Sequence, residues 1–247
     1  MKPYFDRGGC TIYLGECLEV LPLLDGVGAV ITDPPYSSGG AFRGDRTRST
    51  VAKYVQTGTV AYRPEFAGDS RDQRAYLAWC SLWMLAARNA SVEGAPIACF
   101  TDWRQLPVTT DAIQSAGWTW RGVAVWSKKY GRVNSAGFSA ACEFLPFGSN
   151  GPAQERDDYP GGHISCSPES GDDKLHIAQK PLTVMGWACR IAPIGATILD
   201  PFMGSGSTLL AARLNGRKSI GIEVDERYCE IAAKRLGQEV FAFEEIP

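Results

Sequence analysis

Short apolar runs recur along the chain, each stopped by a glycine, proline or acid, and between several of them lie stretches whose apolar residues repeat every three or four positions. Short runs bounded by turn residues read as buried strands, and the longer repeat reads as amphipathic helix. Strands are predicted to start at Thr11, Gly28, Pro96, Thr119, Cys142, Thr197 and Ser219. Helices are predicted over Leu18 to Leu24, Ala75 to Ala90, Leu182 to Ile191, Leu209 to Leu214 and Asp225 to Gly237. The second of these has the broadest apolar face, formed by Tyr76, Leu77, Trp79, Cys80, Trp83, Met84, Leu85 and Ala87, which assigns its aromatics to the core. Pro181 suits a first helical turn, and Asp225 and Gly237 cap and stop the last helix. Such an order predicts an α/β fold, a mostly parallel seven-stranded sheet with helices on both faces.

Two strand ends carry candidate chemistry. Ala29-Val30-Ile31-Thr32 delivers Asp33-Pro34-Pro35-Tyr36 to its carboxyl end. The prolines stiffen the turn and remove donors, so the Asp33 carboxylate and the Pro34 carbonyl offer acceptors side by side, suited to the two hydrogens of an amino group. Tyr36 adds a flat face for a planar ring. A rigid surface turn is the competing reading of the same four residues. Further on, Thr197-Ile198-Leu199 runs into Asp200-Pro201-Phe202-Met203-Gly204-Ser205-Gly206-Ser207-Thr208, then a helix, then a strand ending at Glu223. Strand, glycine turn, helix, strand and acid is the layout by which an α/β sheet holds a nucleoside. A nicotinamide dehydrogenase shares it, but Leu209 stands at the third glycine position of that fingerprint, and such an enzyme leaves Asp33 to Tyr36 unexplained.

Together these stretches resemble the S-adenosylmethionine-dependent DNA amino-methyltransferases of the permuted, beta class, over nearly the whole chain. The resemblance implies a single Rossmann-like methyltransferase domain over 1–247 with circularly permuted motif order, and Asp33, Pro34, Pro35 and Tyr36 as the catalytic motif. It implies that S-adenosyl-L-methionine is held by Glu16, Cys17, Asp33, Lys180, Asp200, Pro201, Phe202, Gly204, Ser205, Gly206, Ser207, Thr208 and Glu223. Glu16 stands where the family usually has an aspartate for the adenine amino group; an acid favourably placed at a helix N-terminus is the other reading. Lys180, in Gln179-Lys180-Pro181, is placed against the methionine end of the cofactor. The implied reaction is methyl transfer to N6 of adenine in double-stranded DNA after base flipping. Cytosine N4 is the nearest alternative, its motif more often starting with serine; RNA and a protein glutamine are remoter.

Composition modifies this picture at one point. With 247 residues, 45% hydrophobic and 21% charged, the chain is ordinary globular protein, but its net charge of -2 means that any DNA-binding surface is local. The polar segment 37–74 holds Arg43, Arg46, Arg48, Lys53, Arg63, Arg71 and Arg74 against four acids. Arg43, Arg46, Arg48 and Lys53 are expected to contact DNA from a loop that is mobile when free; a solvated insertion without contacts is the alternative. Lys128, Lys129 and Arg132 form a second basic cluster, whereas 148–175, the candidate target-recognition insertion, is short and acidic. Recognition is therefore drawn from the basic loop, or loose, or shared with a second subunit; a homodimer and a cognate restriction enzyme both remain open as partners. Eight cysteines without a Cys-x-x-Cys pair, beside only His163 and His176, read as reduced core thiols rather than a metal site. The first residues lack the apolar core of a signal peptide and no run approaches membrane-spanning length, so a cytoplasmic location is expected.

Overall fold

The computed structural model describes residues 1–36, 71–132, 137–154, 159–167 and 180–238. Within them nine strands form one sheet: β1 Phe5–Arg7, β2 Cys10–Leu14, β3 Ala29–Thr32, β4 Pro96–Cys99, β5 Thr119–Arg132, β6 Ala140–Ser149, β7 His163–Ser165, β8 Thr197–Asp200 and β9 Lys218–Glu223. Their spatial order is β1-β2-β9-β8-β3-β4-β6-β5-β7. The five strands from β2 to β4 run parallel, so Leu14, Glu223, Asp200, Thr32 and Cys99 all end at one edge. The seven expected strands are all present, and short β1 and β7 extend the sheet at its two ends. Three residues each, without periodicity, gave these edge strands no signal.

The central strands are apolar on both sides because helices cover both sides. Helices α2 Gln73–Ala90 and α3 Leu106–Ser115 pack with Val30, Ile97, Cys99, Leu199 and Ile222. Helices α4 Leu182–Cys189 and α5 Ser207–Leu214 pack with Ala29, Ile31, Ala98 and Ile198 from the other side. Alternate residues of β3 thus enter different cores, as a two-residue side-chain period demands. Helix α6 Glu226–Gly237, capped by Asp225, returns against β1 and β2, which joins the first and last elements of the permuted order. The predicted helix from Leu18 is shorter than expected: α1 spans Cys17–Val20 and passes into a 3-10 turn at Leu21–Leu23, where Pro22 removes a donor. Helix α3 was not foreseen; two adjacent threonines hide its period, and its start is marked only by Pro107 and by Asp102, whose carboxylate accepts from the Arg104 and Gln105 amides. Leu85, on the predicted apolar face, is 44% exposed, and Cys142, read as a core thiol, lies on the exposed start of β6. All eight cysteines are free, and among the described residues no helix is long and apolar enough to cross a membrane.

β6 runs antiparallel to β4 and continues beyond it through a bridge between Thr101 and Phe144. Glu143, the next residue, therefore reaches the edge where the parallel strands end. β5 and β6 pair with each other over most of their length, with Trp126 opposite Glu143.

Gly221, in β9, is where the glycine turn presses closest to the sheet. A Cβ there would lie 2.4 Å from Met203 Sδ and 2.8 Å from Leu209 Cδ2. Gly221→Ala is expected to cost about 1–3 kcal/mol in urea unfolding, because the buried Met203 and Leu209 side chains must both shift.

Candidate active site

The turn after β8 is shaped by glycines in the left-handed region, Gly204 at φ 50° and Gly206 at φ 80°. Gly206 caps α5, and a Cβ on it would meet the Ala232 Cβ of α6 at 2.9 Å, so the turn lies tight against the last helix. Arg235 of α6 donates to the Ser205 carbonyl at 2.5 Å and approaches the Ser205 and Ser207 hydroxyls at 3.3 and 3.4 Å.

Asp200 lies under this turn, 2% exposed. Its carboxylate accepts from Thr32 Oγ1 at 2.6 Å, from Thr208 Oγ1 at 2.5 Å and from the Phe202 amide at 3.0 Å. Burial pushes its pKa up to about 6, although those three hydrogen bonds pull it down. Asp200 and Thr208 therefore build the turn from beneath, while Pro201 is buried beside them. Glu223 accepts from the Gly204 amide through Oε2 and from the Val224 and Asp225 amides through Oε1, each at 3.0 Å. Burial raises its pKa against these bonds. Glu16 caps α1 by accepting from the Leu18 amide, and the buried Cys17 thiol donates to its other oxygen at 3.5 Å.

Phe202 packs against two rings of α2, with centroids 5.0 Å from Trp79 and 5.2 Å from Trp83. Trp83 is fully buried, but Trp79 is only half-buried and carries the Arg71 guanidinium 4.1 Å above its ring. The helical period placed both tryptophans in the core. Trp79 instead forms, with Phe202, an aromatic ledge beside the glycine turn, and its place at the margin of the apolar face was the available signal.

Asp33 follows β3 directly. Its Oδ2 lies 2.5 Å from Lys180 Nζ, and its Oδ1 is buried with no hydrogen-bond partner among the described residues. Lys180, 6% exposed, also pairs with Glu143 Oε2 at 3.1 Å, while Glu143 Oε1 binds Lys128. Burial alone would lower the Lys180 pKa, but Asp33 and Glu143 outweigh it and hold the ammonium charged. Its Nζ also stands 5.2 Å from the Phe100 ring and 5.5 Å from that of Tyr36. Sequence placed Lys180 at the cofactor's methionine end; its ammonium lies on the acid of the Asp-Pro-Pro-Tyr turn. Glu143 was not among the expected site residues. Of the basic residues expected on DNA, Lys128 is engaged with Glu143 and lies 5.0 Å from the Trp126 ring, and Lys129 is exposed on the same strand. Arg132 ends that strand, and Arg43, Arg46, Arg48 and Lys53 lie outside the described residues.

One edge thus combines a glycine turn, two acids at neighbouring strand ends, an aromatic ledge and a carboxylate with a free acceptor. Residues 27–234 match the N6/N4 family of DNA methylases. The chain belongs to that family. Among the methylase's relatives, the Type II methyltransferase M.ScaI of Streptomyces caespitosus is 25% identical, over 96% of this chain and 84% of its own. The fold is also that of the M1.HpyAVI–SAM complex, with TM-score 0.66 and 21% identity over 93% of this chain and 100% of the other. The cytosine-N4-specific PvuII DNA methyltransferase superposes with TM-score 0.71 and 16% identity over 100% of this chain and 91% of the other.

Asp200 gives the methylase a pH signature. Because folding raises its pKa from 3.8, its contribution to stability is full below that value and is lost as pH climbs through about 6. Urea midpoints of the wild-type protein should fall relative to those of Asp200→Asn between about pH 4 and pH 7.

Proposed function

We propose that the protein transfers a methyl group from S-adenosylmethionine to the exocyclic N6 of adenine in double-stranded DNA, acting on a base flipped out of the helix. The observation that carries this reading is the buried, unpartnered Asp33 Oδ1 beside the Pro34 turn. A buried acceptor without a donor is costly, and an amino hydrogen satisfies it. No hydrogen bond to the Pro34 carbonyl is found among the described residues, which leaves a second acceptor for the second hydrogen.

The residues at the strand ends suit the nucleoside cofactor. Glu223 stands where ribose hydroxyls would be taken, Gly204 and Gly206 allow close approach of the backbone, and Phe202 with Trp79 offers a face for the purine. When bound, S-adenosylmethionine supplies an electrophilic methyl group on a sulfonium.

The protein's own task is to make an amino nitrogen nucleophilic. Its lone pair is delocalised into the ring, and acceptors at Asp33 Oδ1 and Pro34 O draw the two hydrogens so that the lone pair is freed towards the methyl group. The nitrogen then forms the new N–C bond while the C–S bond breaks with its electron pair going to sulfur. The nitrogen finally releases one proton towards Asp33. Tyr36 stacks on the extruded base. Positioning and fixed dipoles in a site screened from water supply the rest of the acceleration.

Cytosine N4 is the second reading, favoured by the similarity to the PvuII enzyme. The two are separated by incubating the protein with unmethylated DNA and S-adenosylmethionine, digesting to nucleosides and identifying the product by mass spectrometry. N6-methyladenine is expected, and N4-methylcytosine as the sole product would overturn the choice of base. Asp33→Ala is expected to slow transfer by at least about 10²-fold with cofactor affinity retained in calorimetry.

DNA contact is assigned to Arg43, Arg46 and Arg48, on the strength of their density in a chain of negative net charge. Replacing all three with alanine should weaken DNA binding and flatten its dependence on salt; an unchanged slope would remove them from the interface.

A further inference from the structure

The ionic contacts around Asp33 form a chain of alternating charge across four elements. Lys128 on β5 holds Glu143 Oε1, Glu143 on β6 holds Lys180 through Oε2, and Lys180 at the start of α4 holds Asp33 Oδ2. Each oxygen of Glu143 thus has its own cation, and the flexible lysine stem is fixed at both ends of its reach. We propose that Glu143 is a positioning residue for methyl transfer: by pinning the Lys180 ammonium on Oδ2 of Asp33, it leaves Oδ1 as the one carboxylate oxygen open to the target amino group. This rests on the reading of Asp33 as the amino-group acceptor and is independent of which base is methylated.

The physical need is specific. Asp33 is desolvated, and a desolvated carboxylate takes up a proton readily and then presents an O–H donor where an acceptor is required. The Lys180 ammonium opposes that protonation only while it stays in contact. An ammonium is a point charge on four rotatable bonds, so a single carboxylate does not fix where it sits. Glu143 supplies the second anchor, and Lys128 prevents Glu143 from turning away. Pro181, with φ -56°, restricts the chain directly after Lys180 and limits the routes by which the ammonium can leave. The charged and titratable groups facing Asp33 are Lys180, Glu143 and Lys128 on the cleft side, Asp200 beneath, and the Cys99 thiol on β4.

The sign of one pH shift distinguishes positioning from simple electrostatics. Removing the negative charge of Glu143 while Lys180 stays in place favours ionised Asp33, and the acidic limb of the pH–rate profile would move to lower pH. If Glu143 holds Lys180 in place, its removal frees the ammonium, Asp33 protonates more easily, and the limb moves to higher pH. Single-turnover methylation by Glu143→Gln, measured from about pH 5 to pH 9, is expected to fall on the order of 10²-fold at neutral pH. The acidic limb should rise, with S-adenosylmethionine and DNA dissociation constants unchanged. Glu143→Asp keeps the charge with a shorter reach and should recover part of the rate and part of the limb. If Glu143→Gln fails to fold, as shown by lost cofactor binding, Glu143→Asp carries the test, with a smaller shift in the same direction. A limb that moves down or stays in place overturns the inference, as does a wild-type rate in Glu143→Gln. Full turnover in Asp33→Ala would instead overturn the underlying reading and this inference with it, whereas loss in Asp33→Ala beside wild-type behaviour in Glu143→Gln would overturn this inference alone.

Discussion

The Asp200 carboxylate couples the two halves of the site. One oxygen takes the hydroxyl of Thr32, the residue before Asp33, and the other takes the hydroxyl of Thr208 in the first turn of α5. The amide of Phe202, which builds the aromatic ledge, is bound to the same group. The strand that presents Asp33 and the glycine turn therefore share one buried anion, with Thr32 and Asp200 168 positions apart in the sequence. A charge in that place is unfavourable by itself and is tolerated because every lone pair that matters is met by a donor. The raised pKa is the residue of that conflict.

The edge of the sheet sorts its acids by what meets them. Asp200 is satisfied wholly from within the fold, Glu223 by three backbone amides, and Glu16 by a helix start and a thiol. Asp33 alone among these four keeps one buried oxygen without a donor. The difference lies in backbone chemistry: the residues after Asp33 are prolines, which have no N–H to turn back on it. The sequence Asp-Pro-Pro thus withholds local partners from a carboxylate that burial makes needy.

Much of this was legible in the chain. The central strands are short apolar runs with unmistakable ends, and both motifs sit at strand termini, where parallel topology alone brings them to one edge. What could not be read was set by pairing across distance. β1 and β7 exist because a neighbouring strand offers an edge. Glu143 enters the site because β6 runs antiparallel and overshoots β4. The contacts of Lys180 with Asp33 and Glu143 could not be read, because the direction of a flexible side chain depends on which buried charges surround it, and those come from the end of β3 and from β6. Trp79 sits at the margin of a helical face, where periodicity cannot distinguish core from cleft wall.

The order of the strands carries a consequence for how such a chain acquires its shape. β3 is made early, yet one of its two neighbours is β8, and β2 similarly waits for β9. The middle of the sheet therefore closes only after most of the polypeptide is available, and the early hairpin of β1 and β2 must remain soluble with an open parallel edge. Contacts of such long sequence separation place the protein among slow folders, with exposed apolar strands awaiting partners. During synthesis on the ribosome the Asp33 turn and the glycine turn meet only after β8 has been made, so the methylase's site waits for most of its scaffold.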